Sequence, residues 1–504
     1  MDSFVKLDSI GVQFTCAVSA VHDACVALTR FVSTHDSNII GKEWIEDGLY
    51  SIENQLGSLA GIEEKLVISL TTLRRLANKS KHRVPISALP AELLSRILGL
   101  VVSSPPDIRK ISEDFKLHPY CVIPSVCASW RHLVMNTPSF WTHVYLYEGY
   151  NPLWLNITSK ALLWSENARD APVHINFCSE HEFSSPELEL QIRKLTTRAK
   201  SLIFSFFTDD SYVSDIFRLY NASGGSDVLE VISIDGFYNR AVVDPYPVNW
   251  LDYIPCCLMT LSLVNIYEPV TPNLDELMTL LARCSKLHTL VLCNARVTPV
   301  IKNSCREIFL PDLEYLRISF EQPLVSERLF STITPGTRDL HLWLSFPEVD
   351  YRQHQYVVHN FLQRSRVTSL SLDALKPELS NEIVSQLLDR LPGLRYLLLN
   401  LEKDSEGRVL DALVVSVGGQ EYRARYPTIR TLAISHGIGP LAQQRLKSVI
   451  GIYDIKTLVF YDSYFSDKEH ENTNSSEDAE EHDIKRWIGA RIRNVEYHYT
   501  KGLS

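Results

Sequence analysis

The 504-residue chain is poor in the residue patterns that carry chemistry. It has no G-x-S-x-G elbow, no Gly-rich phosphate loop and no H-E-x-x-H, which removes the common signatures of serine hydrolases, nucleotide-binding proteins and zinc proteases. Its ten cysteines include no C-x-x-C pair, so neither a zinc cluster nor a thioredoxin-like redox centre is expected. Buried free thiols in a reducing compartment are the plain expectation for them. No run approaches the roughly 18 consecutive apolar residues of a membrane helix. Asp2 and Asp8 flank the single Lys6, and Thr15, Cys16 and Ser19 dilute the apolar stretch that follows, a pattern unlike a secretory signal. A basic excess is also lacking: 50 Lys and Arg face 60 Asp and Glu, a net charge of −10, which argues against nucleic acid as the main ligand. The expectation is a chain without cofactor or metal, binding neither membrane nor nucleic acid, in cytoplasm or nucleus, and not an enzyme.

What is present is apolar periodicity of two kinds. Residues 1–83 read as interrupted helix with a basic linker of Lys79, Lys81 and Arg83. Ile52, Leu56, Leu59, Leu66, Leu70 and Leu73 form a stripe that a partner surface should cover, either a second copy or the rest of the chain. From Val84 the reading becomes VPISALPAELLSRILGLV. Pro90 fits a first helical turn and Glu92 suits the positive end of the helix dipole. Leu89, Leu93, Ile97 and Leu100 lie on one side of that helix, with Leu94, Leu98 and Val101 beside them. Pro105 and Pro106 end it. A second helix is expected from near Ser125, with Val126, Cys127, Trp130 and Val134 on a common side.

LPAELLSRIL, then VCASWRHL, then TPSFW, in that order, resemble the F-box, a small helical motif. The resemblance runs from Val84 to Trp141, within an F-box domain expected over 84–146, and implies docking onto a Skp-type adaptor and, through it, a cullin ubiquitin ligase of the SCF type. It implies that Leu89, Pro90, Leu93, Leu94, Ile97 and Leu98 face the adaptor, joined by Val126, Cys127 and Trp130, with Arg131 at the rim. The insert from Ser103 to Tyr120 departs from compact members and is similar to the longer fungal ones.

After Trp141 the period changes to strand, helix, strand, and over 147–504 one apolar pattern, L-x-x-L-x-L, recurs eleven times. Its central residues are Leu202, Ile232, Leu261, Leu290, Leu316, Leu340, Leu370, Leu397, Leu432, Leu458 and Val495. Helical stretches such as LDELMTLLARC and EIVSQLLDRL lie between, so each unit reads as one strand and one helix. Strands joined through helices run parallel, and stacked units bury a face that none could bury alone. This is similar to the leucine-rich repeat, although the repeat's usual Asn or Cys, three residues past the last strand leucine, is replaced by Phe207, Phe237, Ile266, Ala295, Glu321 and Ser345. The expectation is therefore an irregular α/β solenoid with a curved parallel sheet, lacking the side-chain ladder at its turns. The alternative is a three-layer α/β domain. Trp, Tyr and Phe sit within apolar repeat positions and read as core.

Asp467 to Asp483 holds eight acidic residues and one lysine, a net of −7 out of −10 for the chain, and reads as a solvated, disordered loop. Together the two resemblances imply a target-recognition subunit: adaptor on the F-box, an unidentified protein target on the repeats. A non-degradative scaffold or interaction protein is the alternative, and an enzyme with a site assembled across repeats is a third.

Overall fold

The computed structural model describes residues 2–34, scattered positions from 47 to 74, 86, 89–103, 119–148, 162–163, 165–179, 186–207, 210–225, 227–236, 251, 254–266, 272–295, 297–298, 307–319, 322–345, 351–373, 381–401, 407–417, 421–436, 438–461 and 485–498. The basic linker, most of the 103–120 insert and the acidic segment 467–483 lie outside the described residues. The chain divides into two compact units, Met1–Leu94 and Ser95–Ser504.

The first unit opens with helix α1 (Asp2–Thr34). Val12, Phe14, Val18 and Val21 on it are exposed, as are Leu70 of the expected stripe and its neighbours Val67 and Ile68. Helix α2 (Ala91–Ser103) starts directly after Pro90, whose carbonyl accepts from Leu94 N–H at 3.0 Å. Glu92 occupies the first turn, as the dipole favours.

In the second unit, α3 (Pro119–Val126) and α4 (Ala128–Met135) lead into a thirteen-stranded sheet. Its strands are β1 (His143–Glu148), β2 (Val173–Ser179), β3 (Ala199–Phe207), β4 (Val231–Gly236), β5 (Thr260–Val264), β6 (Thr289–Cys293) and β7 (Tyr315–Ser319). They continue as β8 (Leu340–Ser345), β9 (Val367–Asp373), β10 (Tyr396–Asn400), β11 (Thr431–Ser435), β12 (Thr457–Tyr461) and β13 (Asn494–His498). Every neighbouring pair is parallel and the order follows the chain without reversal. Right-handed crossovers that always step the same way put their helices on one face of the sheet, so a three-layer arrangement is excluded.

Register explains the repeat. Val144, Ile175, Leu202, Ile232, Leu261, Leu290, Leu316, Leu342, Leu370, Leu397, Leu432, Leu458 and Val495 occupy one row across the strands. All but Val495 are at most 1 % exposed. Each such side chain contributes about 1.5–3 kcal/mol by leaving water. The row corrects the sequence assignment at one unit, where Leu342 rather than Leu340 pairs with Leu316 and Leu370. A register shift between Leu340 and His341 lets both leucines look periodic. The row also takes in β1 and β2, so the sheet begins before the first repeat recognised in the sequence, and β1 straddles the expected boundary at residue 146. Two residues on, a second row faces the helices: Phe204 of β3 meets Phe217 of α5 (Asp210–Ala222) at 5.7 Å between ring centres.

A turn ladder does exist, one residue earlier than expected. Asn265 and Asn294 follow β5 and β6 with φ of 53° and 51°, left-handed conformations that Asn tolerates better than most residues. Asn265 Nδ2 donates to Asp235 Oδ1 at 3.1 Å, and Asn294 Nδ2 donates to Asn265 Oδ1 at 3.0 Å. Asn265 N–H also reaches the Cys293 carbonyl at 2.9 Å. The cysteine expectation needs correction as well: Cys16, Cys25 and Cys256 are exposed, and only Cys284 and Cys293 of the seven described thiols are buried. Burial pushes the Cys284 thiol up to about 12, which keeps it protonated and inert.

At the β1 edge, His143 and His174 stack with ring centres 4.6 Å apart. Burial, and then the neighbouring His174, lower His143 from 6.5 to about 4; burial chiefly lowers His174 too. Folding thus excludes protons that the unfolded chain binds, so stability is full above about pH 6.5 and falls as pH drops toward 4. Denaturant midpoints measured from pH 7.5 to 5 should decline, and His143→Phe should flatten that decline. Asn265→Ala should lower stability by about 3 kcal/mol, combining left-handed strain with the loss of both side-chain hydrogen bonds, whereas Asn265→Gly, which is spared the strain, should lose about 2 kcal/mol.

Candidate docking surfaces

Helix α2 is two-sided. Leu89 just before it, then Leu93, Ile97, Leu100 and Val101, are exposed at 36, 51, 43, 67 and 50 %, whereas Leu94, Leu98 and Val102 are buried at 6, 4 and 6 %. The inner row thus keeps a spacing of four and ends on Val102, not Val101. Leu94 and Leu98, which the resemblance set on the adaptor side, are buried within the chain. Pro90 is exposed.

The second expected helix is two helices. Cys127 is extended, with φ −159° and ψ 167°, and caps α4, its Sγ accepting from Trp130 N–H at 3.4 Å. The helix therefore opens at Ala128 rather than near Ser125, and Val126 closes α3, which carries Pro124 inside it. Val126 is 52 % exposed, Cys127 and Trp130 are half-buried, and only Val134 of that quartet is buried. Arg131 Nε donates to the Pro124 carbonyl at 3.0 Å, joining α3 to α4. Trp141 is structural: its indole donates to the Val134 carbonyl at 2.9 Å from a buried position beside Phe140.

The sheet face opposite the helices is the other candidate. Its side chains are the alternate residues of the strands, and between β7 and β13 they include Tyr315, Arg317, His341, Trp343, Tyr396, Tyr461 and His498. Tyr315 meets His341 at 5.0 Å between ring centres, His341 meets Tyr396 at 5.7 Å, and Tyr461 stacks on His498 at 5.1 Å. Tyr396 and Tyr461 pack against the buried Leu398, Ala433 and Val459 on the same face. Burial lowers His341, which shares a 2.9 Å hydrogen bond with Ser371 Oγ, so it stands neutral. Burial and the hydrogen bond with Tyr461 raise Tyr396 well above the ordinary phenol. The face is rich in aromatic residues, with Arg317, Asp373 and Glu496 among its charged positions, and its tyrosines and tryptophan are not repeat core as the sequence led one to expect. The signal was in the x positions of L-x-x-L-x-L, which lie outside the apolar count that reveals the repeat.

No family model matches the chain, and no curated protein matches it. Among solved structures it is similar to a chain described as the crystal structure of the Rad7 and Elc1 complex in yeast. The identity is 11 %, the match covers 84 % of this chain and 96 % of that one, and the TM-score is 0.37.

The two sides of α2 should respond differently to truncation. Leu98→Ala should lower stability by about 2–5 kcal/mol by opening a cavity. Leu93→Ala should change it by no more than about 0.5 kcal/mol, as at other surface positions. Equilibrium unfolding of the two variants checks the assignment.

Proposed function

We propose that the chain is a non-catalytic receptor that binds a Skp-type adaptor through α2 and its neighbouring helices and holds a protein target on the repeats, bringing that target to a cullin ubiquitin ligase. The observation that carries the reading is the row of exposed aliphatic residues Leu89, Leu93 and Ile97 at a spacing of four, inside a motif whose order resembles the F-box. Large aliphatic residues so arranged are the pattern of a helix laid against a partner surface. Val126 and Trp130 extend the apolar character of the motif, Pro90 sets the helix start, Cys127 fixes the start of α4, and Arg131 offers polar contact at the rim.

No residue of such a receptor needs to react. It acts by tethering, since holding a target beside a conjugating enzyme raises the effective concentration of its lysines by the arithmetic of linked binding. Rigidity of the parallel sheet serves that purpose better than any perturbed side chain would.

Co-purification from native cells tests the reading. Leu93→Asp with Ile97→Asp should abolish capture of adaptor and cullin, because an unpaired charge in the interface costs several kcal/mol. Thermal stability should be unchanged, both positions being exposed. Undiminished capture by the folded double variant removes the proposal.

A further inference from the structure

We infer that helix α1 pairs in antiparallel fashion with α1 of a second copy of this chain, making the protein a homodimer. The inference goes beyond the receptor reading and needs neither adaptor nor target.

Every described side chain of α1 is exposed, the whole run from Val12 to Ala27 included. Val12, Phe14, Val18 and Val21 are 61, 45, 51 and 45 % exposed. Val67, Ile68 and Leu70 of the same unit are exposed as well, so they do not cover it. Ten of the 33 residues of α1 are β-branched and Gly11 lies among them, which gives the segment a weak helix propensity of its own. A helix of this kind is stabilised by packing, and a partner has to supply it.

The apolar residues of α1 follow a strict seven-residue repeat. Leu7, Phe14, Val21 and Leu28 hold its first position, and Ile10, Ala17, Ala24 and Phe31 hold its fourth. Such a repeat forms a seam that a second helix covers by left-handed supercoiling. Asp2, Asp8, Asp23 and Arg30 fall away from the seam, and Lys6 is the one charged residue that flanks it.

Side-chain size names the second helix. Placed parallel and in register, two copies would set Phe14 on Phe14 and Val21 on Val21, with Ala17 and Ala24 each on itself, so overfilled layers would alternate with hollow ones. Placed antiparallel, the same residues form the layers Leu7 with Phe31, Ile10 with Leu28, Phe14 with Ala24 and Ala17 with Val21, which then recur in reverse order. Each central layer sets a larger side chain against an alanine, as dense packing requires. The seam is its own complement when reversed, the property of a symmetric pair that uses one patch on both copies. A foreign helix would place no such demand on the sequence of α1.

The surface available is sufficient. Phe14, at 45 % exposure, has about 70–110 Å² left to bury out of the about 150–250 Å² of a whole ring. Eight seam residues on each of two helices, at similar or somewhat smaller values, bring the total to about 1,000 Å², the size at which an interface becomes specific.

Sedimentation equilibrium of the purified full chain at micromolar concentration should give twice the 57.4 kDa of one copy. Val21→Asp should give a single copy with the thermal midpoint unchanged, since Val21 is exposed. Phe14→Ala should weaken pairing by about a hundredfold or more, because it hollows two layers at once. Leu93→Asp with Ile97→Asp, the pair expected to abolish adaptor capture, should remain dimeric, so failure of the receptor reading is distinguishable from failure of this one. A single-copy mass for the parent chain overturns the proposal, whether the stripe from Ile52 to Leu73 or a foreign helix then covers α1. A dimer that survives Val21→Asp overturns the assignment to α1. Orientation is read from the distance between nitroxide-bearing residues placed at the exposed Ser9 of each copy. At 1.5 Å per residue the antiparallel pair sets them about 30 Å apart along the axis, whereas a parallel pair, about 20 Å across, sets them level. A separation of about 20 Å or less overturns the antiparallel order.

Discussion

In-register parallel pairing of thirteen strands is the constraint on which the rest of the structure depends. Because the side-chain period of a strand is two, a slip of one residue in any unit would turn its leucines outward. The row from Val144 to Val495 allows no such slip, and twelve of its thirteen members are essentially without solvent contact. Burial on that scale fixes which residues face the helices and, by alternation, which remain on the other side. The aromatic face is thus a by-product of the register that builds the core.

The two candidate surfaces obey a common logic from different secondary structures. On α2, the i, i+4 rows split an apolar helix into a buried side at Leu94, Leu98 and Val102 and an outward side at Leu93 and Ile97. On the sheet, alternation separates Leu342 and Leu344 from His341 and Trp343. In both cases the sequence is apolar or aromatic on both sides, and only position relative to the packed side decides what is left for a partner. Charge is confined largely to strand ends, where pairs such as Arg366 with Asp339 stand in solvent and contribute little to stability.

Legibility followed the strength of the period. The strand and helix alternation from β3 onward was readable because apolar spacing near 29 residues is hard to produce otherwise. Leu340 misled because it lies two residues before Leu342 on the same face and is equally buried, so the pattern has two valid phases there. The Asn265 and Asn294 ladder was missed because the turn is one residue tighter than the family pattern. On α2 the helix and its start at Pro90 were plain, but Leu93 and Leu94 are chemically identical, and nothing in their neighbours says which one faces inward. Arg317 carried no signal by itself; its stacking partner is Trp343, 26 residues away, brought alongside by strand pairing.

The distances between successive central residues vary, from 26 between Leu316 and Leu342 to 37 between Leu458 and Val495, while the pairing of the strands does not. Chain length between strands is therefore decoupled from the geometry of either face. A segment can lengthen, shorten or acquire a different charge without moving a row, which makes the connections independent variables in the divergence of such an array. Its binding face can be re-lettered one strand at a time, because changing an outward residue leaves the inward period untouched. Specificity and foldability are thus written in alternate letters of the same strands.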